Sequence, residues 1–449
     1  MKTLIQTLLH PISAERRGVS ARRYRSLPDA LKTPEQIIGL AHHSCGATHG
    51  VLERCDFACT SCYLGEEANA AEPLPEDEVF QQLDRLRQFL GPQGKAQITA
   101  GEVTLLPRET LGEYVRYAIR IGLDPMVMTH GRRFLKEPEY LQQLIEEDGL
   151  EKVSIHVDST QRGREEWSPF VTEEQLNAVR DRYASLIRDM RAKTDRKLHA
   201  AHTVTVTQKN LDQIPDVMSW LLRNLDAFRM ISFQPVAEVG RTQDRTLSGL
   251  TLADVWERLC GALGKPLNRD AMHFGHPECH IMVPVIVARA GEQLCVLETV
   301  RAEKSWDRFY LRRLLRAVGG YTVRGKSRAE NLLGIASLTL RNPLLLLETL
   351  VYGLYRVWGD RRDLTRTLLA AVRKGRLSVR PLALVVHKFM SPDELETPLG
   401  RERLQACTFR VPVEGQMIPM CELNATGLRS QLYPCLLYTS DAADDNRVV

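Results

Sequence analysis

Arg54-Cys55-Asp56-Phe57-Ala58-Cys59-Thr60-Ser61-Cys62-Tyr63 is the stretch from which the rest of the chain can be ordered. Cysteines separated by three and then two residues let a single loop present three thiolates to three corners of a four-iron cube. A closed structural cluster or a structural zinc ion needs a fourth thiolate close by, and none follows. One corner is therefore expected to stay open to a ligand. The loop comes directly after a β-rich run at 49–54, and the end of a strand is where the active sites of parallel α/β barrels form.

Working outward from that loop, β-rich runs at 49–54, 96–100, 125–129, 152–158, 200–207 and 229–234 alternate with helical periodicity near 76–90, 109–122, 137–147, 172–193 and 211–225. This alternation predicts an α/β protein with a right-handed parallel sheet, most simply a partial (β/α)6 barrel of the TIM type. Several runs alternate in polarity where doubly covered strands should be continuously apolar. Ser154, His156 and Asp158 oppose Val153, Ile155 and Val157; Thr203, Thr205 and Thr207 oppose Val204 and Val206; Ser232 and Gln234 oppose Ile231 and Phe233. One face of the sheet is thus polar, and in a barrel with outer helices that face is the lumen, which suits a bound ligand better than a packed core.

The loop and its setting resemble the radical S-adenosylmethionine (SAM) superfamily, whose signature is C-x3-C-x2-C after the first strand of a partial (β/α)6 barrel. The resemblance implies that Cys55, Cys59 and Cys62 hold a [4Fe-4S] cluster whose open iron binds the amino and carboxylate groups of SAM. It further implies reductive cleavage to methionine and a 5′-deoxyadenosyl radical, fed by a flavodoxin- or ferredoxin-like electron donor. Thr99-Ala100-Gly101-Glu102 stands where the family has Gly-Gly-Glu-Pro, so Gly101 is expected to allow close approach of the ligand and Glu102 to accept hydrogen bonds from its ammonium. Ser61 replaces the aromatic residue common before the third cysteine, and Tyr63 is the substitute for the adenine-side contact. Thr129, within Met128-Thr129-His130-Gly131, matches the family's Thr-Asn-Gly, and His156, Asp158, Thr207 and Gln234 are expected near SAM or substrate.

Cys279, Cys295, Cys407 and Cys421 form a second candidate set for an auxiliary Fe-S cluster. Cys407 and Cys421 bracket two short predicted strands turning at Glu414-Gly415. The arrangement is similar to SPASM-type extensions, and Phe233-Gln234-Pro235, Gly240-Arg241 and Cys421-x-x-Asn424 are similar to the tetraether-lipid-synthase group. Those likenesses imply a lipid substrate, or alternatively a peptide or RNA. A non-catalytic Fe-S electron-transfer or scaffold protein is the reading from another class, and it requires closed coordination at every site.

Length and composition divide the 449 residues into an N-terminal extension at 1–45, the barrel at 46–240, a mostly helical C-terminal region at 241–434, and a tail at 435–449 that resembles sequencing-adapter read-through. Residues 301–380 hold 18 Lys and Arg against 6 Asp and Glu, although the whole chain is only +4. That segment is expected to meet something anionic, with peripheral membrane contact as one outcome. Its most apolar stretch is interrupted by Arg341, Pro343, Glu348 and Arg356, which argues for amphipathic helices and against a transmembrane span. No secretory signal is evident, so a cytoplasmic location and reduced thiols are expected for the ten cysteines.

Overall fold

The computed structural model describes residues 11–40, 44–243, 249–301, 304–319, 321, 328–374 and 376–433. The adapter-like tail at 435–449 lies outside the described residues. One sheet of eleven strands organises the rest, in the order β11-β10-β1-β2-β3-β4-β5-β6-β9-β7-β8. The strands are β1 (Cys45–Ala47), β2 (Lys95–Ile98), β3 (Asp124–Thr129), β4 (Lys152–His156), β5 (His199–Val206), β6 (Phe228–Pro235), β7 (His280–Ala290), β8 (Gln293–Glu298), β9 (Ser378–His387), β10 (Phe409–Val413) and β11 (Gln416–Pro419). Pairing is parallel from β10 through β1–β6 to β9, and antiparallel only at the two margins.

The helices are α1 (Ala14–Arg25), α2 (Glu76–Leu90), α3 (Arg108–Arg120), α4 (Arg132–Lys136), α5 (Pro138–Glu146), α6 (Asn177–Thr194), α7 (Ile214–Arg223), α8 (Leu252–Leu263), α9 (Ser305–Val318), α10 (Arg328–Arg341), α11 (Pro343–Gly359), α12 (Arg361–Lys374), α13 (Pro392–Leu395), α14 (Pro398–Gln405), α15 (Met420–Ala425) and α16 (Leu428–Leu432). Helix α2 shows why the crossover helices sit where they do. Val79, Leu83, Leu86 and Leu90 recur every three to four residues and are fully buried against the sheet. Each such side chain stabilises the fold by about 1.5–3 kcal/mol through burial. The expected α/β half barrel, with a C-terminal region in which helix outweighs strand, is the observed architecture.

The first strand differs from expectation. It is Cys45–Ala47, and 49–54 is a loop. The backbone there is held in place of a strand ladder by side chains, His49 N donating to Gln82 Oε1 at 2.9 Å and Gly50 N to Glu53 Oε1 at 2.9 Å, and by single backbone bonds from Leu74 N to Gly50 O and Glu102 N to Arg54 O. Val51 and Leu52 are buried all the same, which is why the stretch reads as a strand. The predicted hairpin is present as β10–β11, with Glu414 at φ 46° and Gly415 at φ 78°, the left-handed pair that a two-residue turn matching strand twist requires.

Candidate active site

The three-cysteine loop sits at the C-terminal edge of the parallel strands and is pinned on both sides. From the segment after β4, Arg162 O accepts from Ala58 N at 2.7 Å and Thr160 O from Thr60 N at 2.8 Å. From the segment after β6, Gln243 N donates to Thr60 O at 2.9 Å, Arg241 N to Leu64 O at 2.8 Å, and Arg241 Nη2 to Phe57 O at 3.1 Å. The loop geometry is thereby set by two elements distant in sequence, and not by the loop alone.

Cys55, Cys59 and Cys62 influence one another electrostatically. Burial, then Glu102, pushes the Cys55 thiol up to about 12, with Cys62 adding to the shift. Burial, then Cys62 and Cys55, raises Cys59. Buried thiols crowded in this way resist ionisation on their own and become thiolates when a cationic group is placed among them. Arg241 hydrogen-bonds Cys62 and its charge acts on all three thiols, and its Nε is buried without a hydrogen-bond partner among the described residues. Among the described residues the other cysteines lie elsewhere, so no fourth thiol joins the group. This donor set, three thiols with a guanidinium behind them, fits a [4Fe-4S] cluster with one unligated corner.

A hydrogen-bond hub lies beside the loop. His130 stacks on Phe57 with ring centroids 3.8 Å apart, and its Nδ1 accepts from Arg132 N at 3.1 Å. That leaves Nε2 as the donor, 2.7 Å from Asp56 Oδ1 and 3.2 Å from Glu102 Oε2. Burial alone would raise the Asp56 carboxyl, but its hydrogen bond to His130 and the nearby Arg132 guanidinium hold it below the ordinary value. Glu102 is buried, and its carboxylate accepts from Thr104 N at 3.1 Å, Thr129 Oγ1 at 2.6 Å and His130 N at 2.8 Å. Thus Glu102 and Thr129 meet each other, and Glu102 is already a buttress between the second and third strands. Gly101, at φ 45°, earns its place by a close approach within the chain: a Cβ there would fall 2.4–2.5 Å from the carbonyl oxygens of Leu52, Glu53 and Arg54. Sulfur of Cys55, Asp56 and His130 also lie within 4.8 Å of one another, close enough for a single ion, but the Asp56–His130 hydrogen bond already accounts for that proximity.

The polar inner face is present as expected. Ser154 and Thr203 hydroxyls are 3.0 Å apart, and Thr205 pairs with Gln234 in register. His156 hydrogen-bonds Asp158 and stands 3.2 Å from Thr205 Oγ1. Asp158 is fully buried, accepting from Thr160 N at 2.8 Å and Thr205 N at 2.7 Å. Desolvation pushes its pKa up, but His156 and these hydrogen bonds more than offset it and keep the carboxylate ionised. The Asp158 charge also acts on Cys59, so the polar inner face and the cysteine loop are electrostatic neighbours. Thr207 lies just beyond β5 in a turn, where Thr207 N donates to Asn210 Oδ1 at 2.8 Å. Tyr63 packs with Cys55 and Cys62 against Leu64, Ala68 and Ala100, and the Arg429 guanidinium is 5.1 Å from its ring centre. Burial raises the Tyr63 phenol to about 12.

Of the second cysteine set, three members converge. Cys279, Cys407 and Cys421 line one small cavity with His276, His280 and His387. Burial, then Cys279, pushes the Cys407 thiol up to about 11, and Cys421 rises for the same reasons. Cys295 does not belong with them. It stands opposite Ala288, eight residues along β7 from His280 and so ~26 Å away at the rise of an extended strand. Its thiol packs toward Thr367 and Asp363 of α12. Sequence reasoning missed Asp56, His130 and Arg241 as parts of the site; His130 and Arg241 both stood inside motifs quoted for their neighbours.

No protein-family model matches the chain. Among curated proteins, 204 residues are 26% identical to the 7,8-dihydro-6-hydroxymethylpterin dimethyltransferase of Methanocaldococcus jannaschii, covering 44% of this chain and 37% of that protein. The chain therefore spans well under half the length of that relative. Among solved structures, Streptococcus suis SuiB bound to S-adenosylmethionine aligns with a TM-score of 0.36 at 12% identity, covering 50% of this chain and 47% of that one. The anSMEcpe protein with bound AdoMet aligns with a TM-score of 0.36 at 13% identity, covering 49% of this chain and 59% of that one.

Proposed function

We propose that this protein is a radical SAM enzyme whose [4Fe-4S] cluster is held by Cys55, Cys59 and Cys62. The observation that carries the reading is the convergence of these three thiols, with no fourth among the described residues, on a loop pinned at the C-terminal edge of the half barrel. When bound, the cluster supplies the electron that cleaves SAM and generates a radical able to take hydrogen from an unactivated C–H bond. The protein's own part is to position and to exclude water. Arg241 compensates thiolate charge, Glu102 and Thr129 fix the second and third strand ends, and Tyr63 closes the side of the loop. His156 and Gln234 stand half-buried on the polar face of the sheet and are the groups to orient SAM or substrate.

A polar substrate is favoured over an acyl chain, because His156, Thr205, Ser232 and Gln234 stand on the polar face of the sheet and the curated relative is named for a pterin. A peptide or an RNA nucleotide fits that description better than the lipid expected at first. The cavity of Cys279, Cys407 and Cys421 is the place for an auxiliary Fe-S cluster, with a histidine or a substrate atom as the fourth ligand and Cys295 left out. A flavodoxin- or ferredoxin-like protein would supply the electron.

The test is anaerobic reconstitution with iron and sulfide, followed by SAM and a strong reductant, for the wild type and a Cys55→Ala/Cys59→Ala/Cys62→Ala variant. Formation of 5′-deoxyadenosine should fall by at least about 10³-fold in the variant, a loss of ~4 kcal/mol in barrier lowering. Iron retained by the variant and lost on further Cys279→Ala/Cys407→Ala substitution would place the auxiliary cluster. A fully loaded wild type that fails to bind SAM would leave the closed-coordination, non-catalytic reading in its place.

A further inference from the structure

Eighteen of the 23 exposed large apolar side chains among the described residues fall between Trp306 and Val379. On α11, Leu347, Leu350, Val351, Leu354, Val357 and Trp358 follow the three-and-four spacing of one helix side and are 42–73% exposed. Leu332, Ile335 and Leu340 of α10, Leu368, Leu369 and Val372 of α12, and Trp306 and Phe309 of α9 are exposed as well. A soluble surface rarely concentrates apolar side chains in this way without a partner.

The opposite sides of the same helices are specifically packed, so this is not a loosely folded segment. Tyr310 stacks on Tyr352 at 4.1 Å and its hydroxyl lies 2.9 Å from Thr349 Oγ1. Arg356 donates to Thr299 O at 3.1 Å and to Asp360 Oδ2 at 3.1 Å, Arg301 Nε lies 2.8 Å from the buried Asp307, and Arg313 pairs with Glu348 at 2.9 Å. The acidic groups of the segment are thus largely consumed by internal pairs. Arg361, Arg362, Arg366, Arg373 and Arg376 remain exposed around the apolar residues of α12.

We propose that the outer face of α9–α12 docks the protein on an anionic lipid bilayer, lying in the headgroup layer without crossing it. The 17-residue α11 is ~26 Å long, short of the ~30 Å hydrocarbon core, and no helix among the described residues is long and apolar enough to span. Leucines with flanking arginines and two exposed tryptophans are the composition of an interfacial anchor. Charge selects the occupant: 18 Lys and Arg against 6 Asp and Glu over 301–380 attract an anionic leaflet and repel a second copy of the same face. Docking here does not depend on the chemistry of the cysteine loop.

Sedimentation of the full chain with vesicles provides the test. Binding is expected to mixed phosphatidylcholine–phosphatidylglycerol vesicles, to weaken by about fivefold for each arginine reversed in R362E, R366E and R373E, and to weaken at least about a hundredfold in L350E/L354E. Quenching of Trp358 by brominated lipid, in W306F, reads the same contact with one aromatic of the face exchanged for another. No sedimentation with the mixed vesicles, equal sedimentation with pure phosphatidylcholine, absence of quenching, or a stable dimer in solution that L350E/L354E dissociates would each overturn the proposal.

Discussion

The inner face of the half barrel and the outer face of α9–α12 have opposite relations to the chain that builds them. On the inner side, polar groups that ought to seek water find their partners within the protein: Asp158 with His156, Thr160 and Thr205, and Glu102 with Thr104, Thr129 and His130. On the outer side, apolar groups that ought to avoid water find none, as with Leu340 at 77% exposure and Leu354 at 73%. The first region holds its geometry by internal saturation, which is what a site positioning a reactive species needs. The second has stabilisation still to gain, which no other described residue supplies.

The comparison breaks most visibly at Glu102. Removing its carboxylate in Glu102→Ala leaves four buried donors unanswered, which should cost about 3–5 kcal/mol. Urea unfolding would read this as a lower midpoint at unchanged slope, with Glu102→Gln recovering part of the loss. A destabilisation under about 1 kcal/mol would mean that the hub is not a supporting element, since surface changes are of that size.

His202 sharpens the same point through pH. Burial, then the Arg180 guanidinium, holds its pKa well below the usual value, and Arg180 Nε donates to its Nε2 at 3.1 Å, which requires the neutral ring. The unfolded chain takes up a proton near the ordinary 6.5, whereas the folded chain refuses it. The associated stability is therefore complete above that pH and lost as pH falls toward the folded value, by up to about 1.4 kcal/mol per pH unit from this residue. Unfolding free energies at pH 7 and pH 5 should differ less in His202→Gln than in the wild type. Equal differences would place the acid sensitivity elsewhere.

Much of this arrangement is legible in the sequence, and the parts that are not share a cause. The alternation of Ser154, His156 and Asp158 is a period-two signal, so the polar face and its strand are readable directly. The cysteine spacing reads equally well, because one loop carries it. By contrast, His130 reaches Asp56 across 74 residues and Arg241 reaches Phe57 across 184, and no local pattern announces either contact. The stretch at 49–54 misleads because Val51 and Leu52 are buried as strand residues would be, although side chains and single backbone bonds from Leu74 and Glu102, and not a strand ladder, satisfy its backbone. Cys295 misleads because spacing gives no sense of distance along an eleven-residue strand. The amphipathic helices were predictable, but which of their faces would be covered depends on the inner aromatic and ionic contacts, which fold from separate segments.

The smallest expected effect is the most discriminating between the two regions. Leu86 is fully buried under the sheet, and Leu86→Ala should cost about 2–5 kcal/mol through lost burial and a residual cavity. Leu347, at 60% exposure, is an identical side chain on a helix of similar length, yet Leu347→Ser should change the stability of the isolated protein by less than about 0.5 kcal/mol. If Leu347→Ser instead costs as much as Leu86→Ala, measured by urea unfolding of the monomer, then the outer face of α11 is covered in solution by the chain itself. A near-zero change means that this leucine contributes nothing to folding, and that the row to which it belongs has its thermodynamic value only in contact with another surface.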